Sequence, residues 1–129
     1  MITTNLIERR PRLRIAFSHG GGTLAMLLPR LEQARHMFPA LREAVTASPT
    51  EQARKFYYDD LVFDALTLRH LAALFGTSRL LIGTDYLFNF HDQTPVARLV
   101  DAGLEPAAIQ QILLSNAERL IRLVQGPLS

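Results

Sequence analysis

Cysteine and tryptophan are absent from the 129 residues, and Lys55 is the only lysine. Without cysteine there is no disulfide framework, no thiolate metal site and no thiol nucleophile. The basic character therefore rests on arginine: 14 basic against 12 acidic side chains give a formal charge of +2 and a pI near 9.5. Arg9, Arg10, Arg12 and Arg14 cluster near the start, a placement that can attract phosphate. No aromatics interleave with them and acids offset the charge elsewhere, so the cluster reads as a solvated turn leading into a strand. No nucleic-acid partner is expected. Also missing are an apolar run of the roughly 20 residues that span a membrane and the uninterrupted apolar segment of a signal peptide. These absences predict a soluble, cytoplasmic chain with no membrane partner.

What is present suffices for one core. The chain is 48% hydrophobic and too short for two ordinary domains, so residues 1–129 read as one domain or part of one. Strand-like and helix-like periods alternate along it. "LRIAFS" (13–18), "KFYYDD" (55–60) and "RLLIGTD" (79–85) are short apolar runs closed by glycine or acid, the pattern of strands buried on both faces. Residues 23–38 are helical in composition, with Pro29 either kinking that helix or opening a second one. The stretch 39–52 reads as a linker with one helical turn. Asp64 can cap the next helix, where Leu68, Leu71, Ala72 and Phe75 follow a helical period and Gly76 ends it. A short helix over 95–102, another from Pro106 and a last one opened by Ser115, with Glu118 at capping-box spacing, complete the order. The alternation implies an α/β fold with a parallel sheet and right-handed crossovers.

In such a sheet, chemistry gathers at the carboxyl ends of the strands. His19 follows the first run, Asp59 and Asp60 close the second, and Asp85 closes the third. Each has a plain structural reading, as a hydrogen-bonded histidine or as a helix cap. Their coincidence on one rim is what makes them candidates for acid/base work. The glycines after His19 would let a substrate or the next helix approach the backbone closely. A phosphate site built on "GGGT" is the weaker alternative, since these residues match neither G-x-G-x-x-G nor a P-loop with its lysine.

"FSHGGG", "KFYYDDLVFDALTLRHLAALFG", "RLLIGTDYLF" and "LLSNAERLI" occur in an order and at spacings that resemble the C-terminal part of the amidohydrolase superfamily, in the branch of aminocarboxymuconate-semialdehyde decarboxylase. The resemblance runs over nearly the whole chain. It implies about strands six to eight of a metal-dependent (β/α)₈ TIM barrel and a decarboxylase or hydrolase acting on a small unsaturated or aromatic carboxylic acid. It further implies that His19 is the acid/base histidine and that Asp85 is both a catalytic residue and a metal ligand, with zinc the expected metal. Gly20, Gly21 and Tyr86 would contact substrate, and Asn116 with Ala117 would form a structural turn. Leu87 stands where the family usually has proline, and Asp60 where serine or threonine is commoner.

The family's other metal ligands, a His-x-His on the first strand and a histidine on the fifth, have no counterpart here. The four histidines, His19, His36, His70 and His91, are widely spaced. His36 and His70 fall in helical segments and read as surface or packing residues, and His91 as loop surface. Three consequences are expected: an incomplete metal site, an isolated chain without activity, and a homo-oligomer or a missing barrel half as partner. The alternative is a non-catalytic barrel fragment with a structural or interaction role.

Overall fold

Each of the three expected strands forms, but only two or three residues of each run enter the ladder. The computed structural model describes residues 1–124. In it β1 (Ala16–Phe17), β2 (Tyr57–Asp59) and β3 (Leu80–Leu81) make one parallel sheet with β2 in the middle. Ala16 stands opposite Tyr57 and Phe17 opposite Tyr58; across β2, Tyr58 faces Leu80 and Asp59 faces Leu81. Single backbone bonds extend the pairing, from Tyr57 N to Ile15 O at 2.9 Å and from Asp60 N to Leu81 O at 2.8 Å.

Burial on both faces holds for one face only. Side chains alternate across a strand, so Phe17, Tyr58 and Leu80 share one face and Ala16, Tyr57, Asp59 and Leu81 the other. The first face is the core: Tyr58 and Leu80 are fully buried beneath the helices. Tyr58 stacks on Phe75 with ring centroids 3.9 Å apart and on Phe17 at 5.9 Å, and its hydroxyl donates to Ala53 O at 2.8 Å. Burial pushes that phenol far above its ordinary pKa. On the second face Ala16 is exposed and Asp59 and Leu81 are half-buried, while Tyr57 is covered. Tyr57, Tyr58 and Phe56 are thus enclosed within the chain itself.

The helices follow local chemistry. After α1 (Leu6–Arg9), α2 (Leu24–Met37) runs through Pro29 without a second helix starting there, so Ala25 O lacks the N–H that any other residue at 29 would return. The expected linker instead carries α3 (Pro39–Ala44) and α4 (Pro49–Ala53), each opening on a proline whose missing N–H costs nothing at that position. Helix α5 (Ala65–Phe75) matches expectation: the Asp64 carboxylate accepts the Thr67 N–H at 2.7 Å, Leu68, Leu71 and Phe75 are buried, and Gly76 at φ 88° ends it. Helix α6 (Pro95–Asp101) falls within the expected 95–102, and α7 (Pro106–Gln110) starts at the expected proline.

The capping box at Ser115 does not form. Residues Gln111–Ser115 are a π-helical turn that joins α7 to α8 (Asn116–Val124), with Asn116 N bonded to Gln111 O and helical dihedrals on both sides. Nor is Asn116 in a turn. It is fully buried, and its amide donates to Thr77 O and Leu80 O, each at 2.8 Å. Ser115 has the spacing of a cap, but a helix already in progress leaves no free N–H groups for it to satisfy. Among the described residues no helix is long and apolar enough to cross a membrane.

Replacing Asn116 by alanine strips two buried carbonyls of their donor. We expect Asn116→Ala to lower the unfolding free energy by about 2–4 kcal/mol, measured by urea denaturation at fixed chain concentration; a loss within 0.5 kcal/mol, about the size of a neutral surface change, would contradict the assignment.

Candidate active site

Parallel pairing brings the residues after each strand to one rim. His19 lies two residues past β1, Asp59 ends β2 with Asp60 directly after it, and Asp85 follows β3 by four residues. Although 66 positions apart, His19 Nε2 and Asp85 Oδ2 approach to 3.2 Å. The imidazole is 59% exposed and the carboxylate 21%, so the pair faces solvent from the rim.

Both partners are held in left-handed backbone conformations, His19 at φ 53° and Asp85 at φ 56°. This region is uncommon for residues with a Cβ and costs on the order of 1–3 kcal/mol each. At His19 the strain belongs to a run, because Gly20, Gly21 and Gly22 continue it at φ 59°, 79° and 62°. Two of these glycines are also required by packing. A Cβ at Gly20 would lie 2.5 Å from Leu71 Cδ1, and one at Gly21 2.7 Å from the Tyr58 ring. The space beside Gly20 and Gly21 is thus filled by β2 and α5 side chains. Asp59 secures the run by accepting the Gly20 N–H and the Leu61 N–H on Oδ1, each at 3.2 Å.

Asp60 points away from this pair. It is fully buried, and its Oδ1 accepts the Gly83 N–H at 2.8 Å and an Arg98 guanidinium N–H at 3.0 Å. Arg98 also donates to Gly83 O at 3.2 Å and binds Asp92 through Nη1, while Asp92 N donates to Thr84 O at 2.8 Å. The two residues before Asp85 are therefore gripped from both β2 and α6. Burial pushes the Asp60 carboxyl up to about 6, against the lowering effect of the Gly83 N–H and the Arg98 charge.

Of the other candidates, Tyr86 is 75% exposed and packs edge-on against His91 with centroids 6.0 Å apart. His91 Nδ1 lies 2.7 Å from Phe88 O within its own loop, and His36 and His70 are exposed on helices. No group of three histidine, aspartate or glutamate side chains gathers among the described residues. The sequence reading missed Arg98 and Asp92. Its only available signal was a lone cation between Val96, Leu99 and Val100 in "PVARLVD", too weak to name a partner 38 residues away.

Residues 1–123 match the family model described as Amidohydrolase. The chain is 34% identical over 96 residues to a 2-amino-3-carboxymuconate-6-semialdehyde decarboxylase of Dictyostelium discoideum, covering 74% of this chain and 27% of that protein. Among solved structures, 5-carboxyvanillate decarboxylase from Sphingomonas paucimobilis matches with a TM-score of 0.79 at 24% identity, over 95% of this chain and 37% of its own. A dihydroxybenzoic acid decarboxylase from a Polaromonas species, solved with bound manganese and an inhibitor, matches with a TM-score of 0.75 at 20% identity, over 95% and 38%. These solved relatives are TIM barrels, and the present chain spans well under half of their length.

The Asp60 environment has a measurable signature. A carboxyl raised to about 6 from 3.8 keeps its proton in the folded state where the unfolded chain has lost it. Its contribution to stability is full below about pH 4 and is lost as pH rises through about 6. Wild type should therefore gain up to about 3 kcal/mol over Asp60→Asn between pH 7.5 and pH 4, read from denaturant melts across that range. A gap that instead widens toward high pH would mean that Arg98 keeps the carboxyl ionised throughout.

Proposed function

Because the chain belongs to the Amidohydrolase family, we propose that it supplies the acid/base rim of a metal-dependent decarboxylase acting on a small unsaturated or aromatic carboxylic acid. In this reading it is the C-terminal piece, about strands six to eight, of a (β/α)₈ barrel. The observation that carries the proposal is the 3.2 Å approach of His19 Nε2 to Asp85 Oδ2 across the sheet, with both residues in strained backbone conformations of the kind that cluster at functional sites.

Catalytic divalent sites use three or more protein ligands. Asp85 offers one carboxylate and His19, already bonded to it, one imidazole, and no third donor joins them among the described residues. These residues do not complete a metal site by themselves. Carboxylate and imidazole donors suit zinc, the expected metal, and also manganese, which the Polaromonas relative holds. With ligands from elsewhere, such an ion would polarise a substrate oxygen.

The chain's own contribution is proton handling. Asp85 orients the imidazole by accepting from Nε2, so that a protonated ring has its second proton, on Nδ1, free to donate. His19 delivers that proton to the substrate carbon bearing the carboxylate; the carbon–carboxyl bond then breaks, its electron pair stays with the substrate, and carbon dioxide leaves. Solvent reprotonates the exposed ring. Hydrolysis of a C–O or C–N bond would use the same pair with water as nucleophile, and the decarboxylase relatives favour the first reaction. The second reading, a non-catalytic fragment serving as a structural partner, is favoured by the lack of a third ligand among the described residues.

Assembly belongs to the same proposal. Strand β1 is an open edge of the sheet, and Tyr86, Leu87, Phe88 and Phe90 are 61–79% exposed in one loop. The chain alone should form a dimer or larger species, which light scattering during size exclusion reads directly; a sharply melting monomer at every concentration would contradict it.

Activity is tested by supplying the N-terminal part of a relative's barrel, in trans or by fusion, and measuring carbon dioxide release from aromatic and muconate-type acids. His19→Ala should cost about 10²–10⁴ in rate and leave bound metal unchanged by elemental analysis. Asp85→Ala should lose both. Equal activity in the two variants would overturn the assignment, and an inactive wild-type complex that holds its full metal complement would favour the structural partner.

A further inference from the structure

The parallel topology that gathers acids at one rim gathers cations at the other. Arg14 and Lys55 each stand two residues before β1 and β2, and Arg79 immediately precedes β3. Together with Arg119 from α8 they line a cavity of about 370 Å³, whose walls are completed by Ile7, Glu8, Pro11 and Tyr57. Four cations face one carboxylate. That carboxylate, Glu8, is already held by Lys55 at 2.6 Å.

Two of the remaining three are placed rather than merely present. Arg14 Nη1 donates to Pro11 O at 2.8 Å and to Leu13 O at 3.3 Å, which fixes its head group. The Arg79 guanidinium lies 5.1 Å above the ring of Tyr57, a buried residue. Neither Arg79 nor Arg119 forms an ion pair among the described residues. Arg9, Arg10 and Arg12 line an adjoining depression and add to the same field. Like charges drawn into one concavity repel, so an anion that enters relieves a cost already present in the empty site. Guanidinium groups pair two oxygens at once, and the volume exceeds what a single phosphate fills.

We propose that this cavity binds a compact polyanion, a polyphosphate or polycarboxylate with two or more charged groups, between Arg14, Arg79 and Arg119. It lies at the end of the sheet opposite His19 and Asp85, and the proposal does not rest on the decarboxylase reading.

The test is calorimetric titration of the full chain with pyrophosphate and, separately, citrate, with ionic strength held constant by potassium chloride. Saturable binding of at least one is expected; tighter pyrophosphate identifies the phosphate class, tighter citrate the carboxylate class. Arg119→Gln, an exposed position on α8 that leaves the core untouched, should weaken binding about threefold, and Arg79→Gln with Arg119→Gln at least tenfold. Arg42→Gln, remote from the cavity, should change nothing. No saturable heat from either anion beyond the chloride control, or an affinity unchanged in Arg119→Gln and in the double variant, would overturn the proposal.

Discussion

The ion pair between Asp60 and Arg98 fixes the rim. It forms where β2 ends, out of contact with water, and takes hold of Gly83 from both sides: the Asp60 carboxylate accepts its N–H and the Arg98 guanidinium donates to its carbonyl. Removing Arg98 would leave the buried Asp60 carboxylate without its cation, a loss that in buried pairs typically costs about 3–5 kcal/mol. Here the loss would not stay local. Asp85 is two residues further on, and the loop behind it is tied to the same guanidinium through Asp92. Gly83 fits the arrangement by lacking a side chain, since a Cβ there would stand 3.0 Å from Asp59 Cβ.

Around that fixed point the backbone is strained and secured. Residues 19 to 22 are all at positive φ, as is Asp85, and only the glycines adopt such conformations freely. Asp59 and the Gly22 N–H, which donates to His19 O at 2.9 Å, hold the turn in this form. The two adjacent aspartates therefore have different tasks: Asp59 secures the turn that carries His19, and Asp60 the segment that carries Asp85. Neither task needs the side chain to reach a ligand.

The order of elements was legible because parallel strands write their burial as apolar runs and their ends as glycine or acid. The boundaries of α5 could be read from Asp64 and Gly76, since a cap and a left-handed terminator act locally. The meeting of His19 with Asp85 followed from topology, because parallel strands place their carboxyl ends together whatever the separation in sequence. Strand length was not legible: Leu13 and Ile82 look as strand-like as Phe17 and Leu80, and only pairing partners decide where a ladder stops. The Asp60–Arg98 pair left no periodic trace, being a tertiary contact between a strand end and a helix. Ser115 misled for the same reason, as a cap signal has meaning only where a helix begins.

The π-helical turn over Gln111–Ser115 makes the chain's length between two landmarks a constraint. It accommodates one residue more than an α-helix would need, and its Ile112 carbonyl accepts the Ile82 N–H at 3.3 Å, on the free side of β3. A single-residue deletion inside it would restore regular winding and turn everything beyond by about 100°. Asn116 would then swing off Thr77 and Leu80, and the third strand would lose its support from α8. Point substitutions at exposed Leu114 or Ser115 leave that count intact, so this stretch should accept changes of identity far more readily than changes of number.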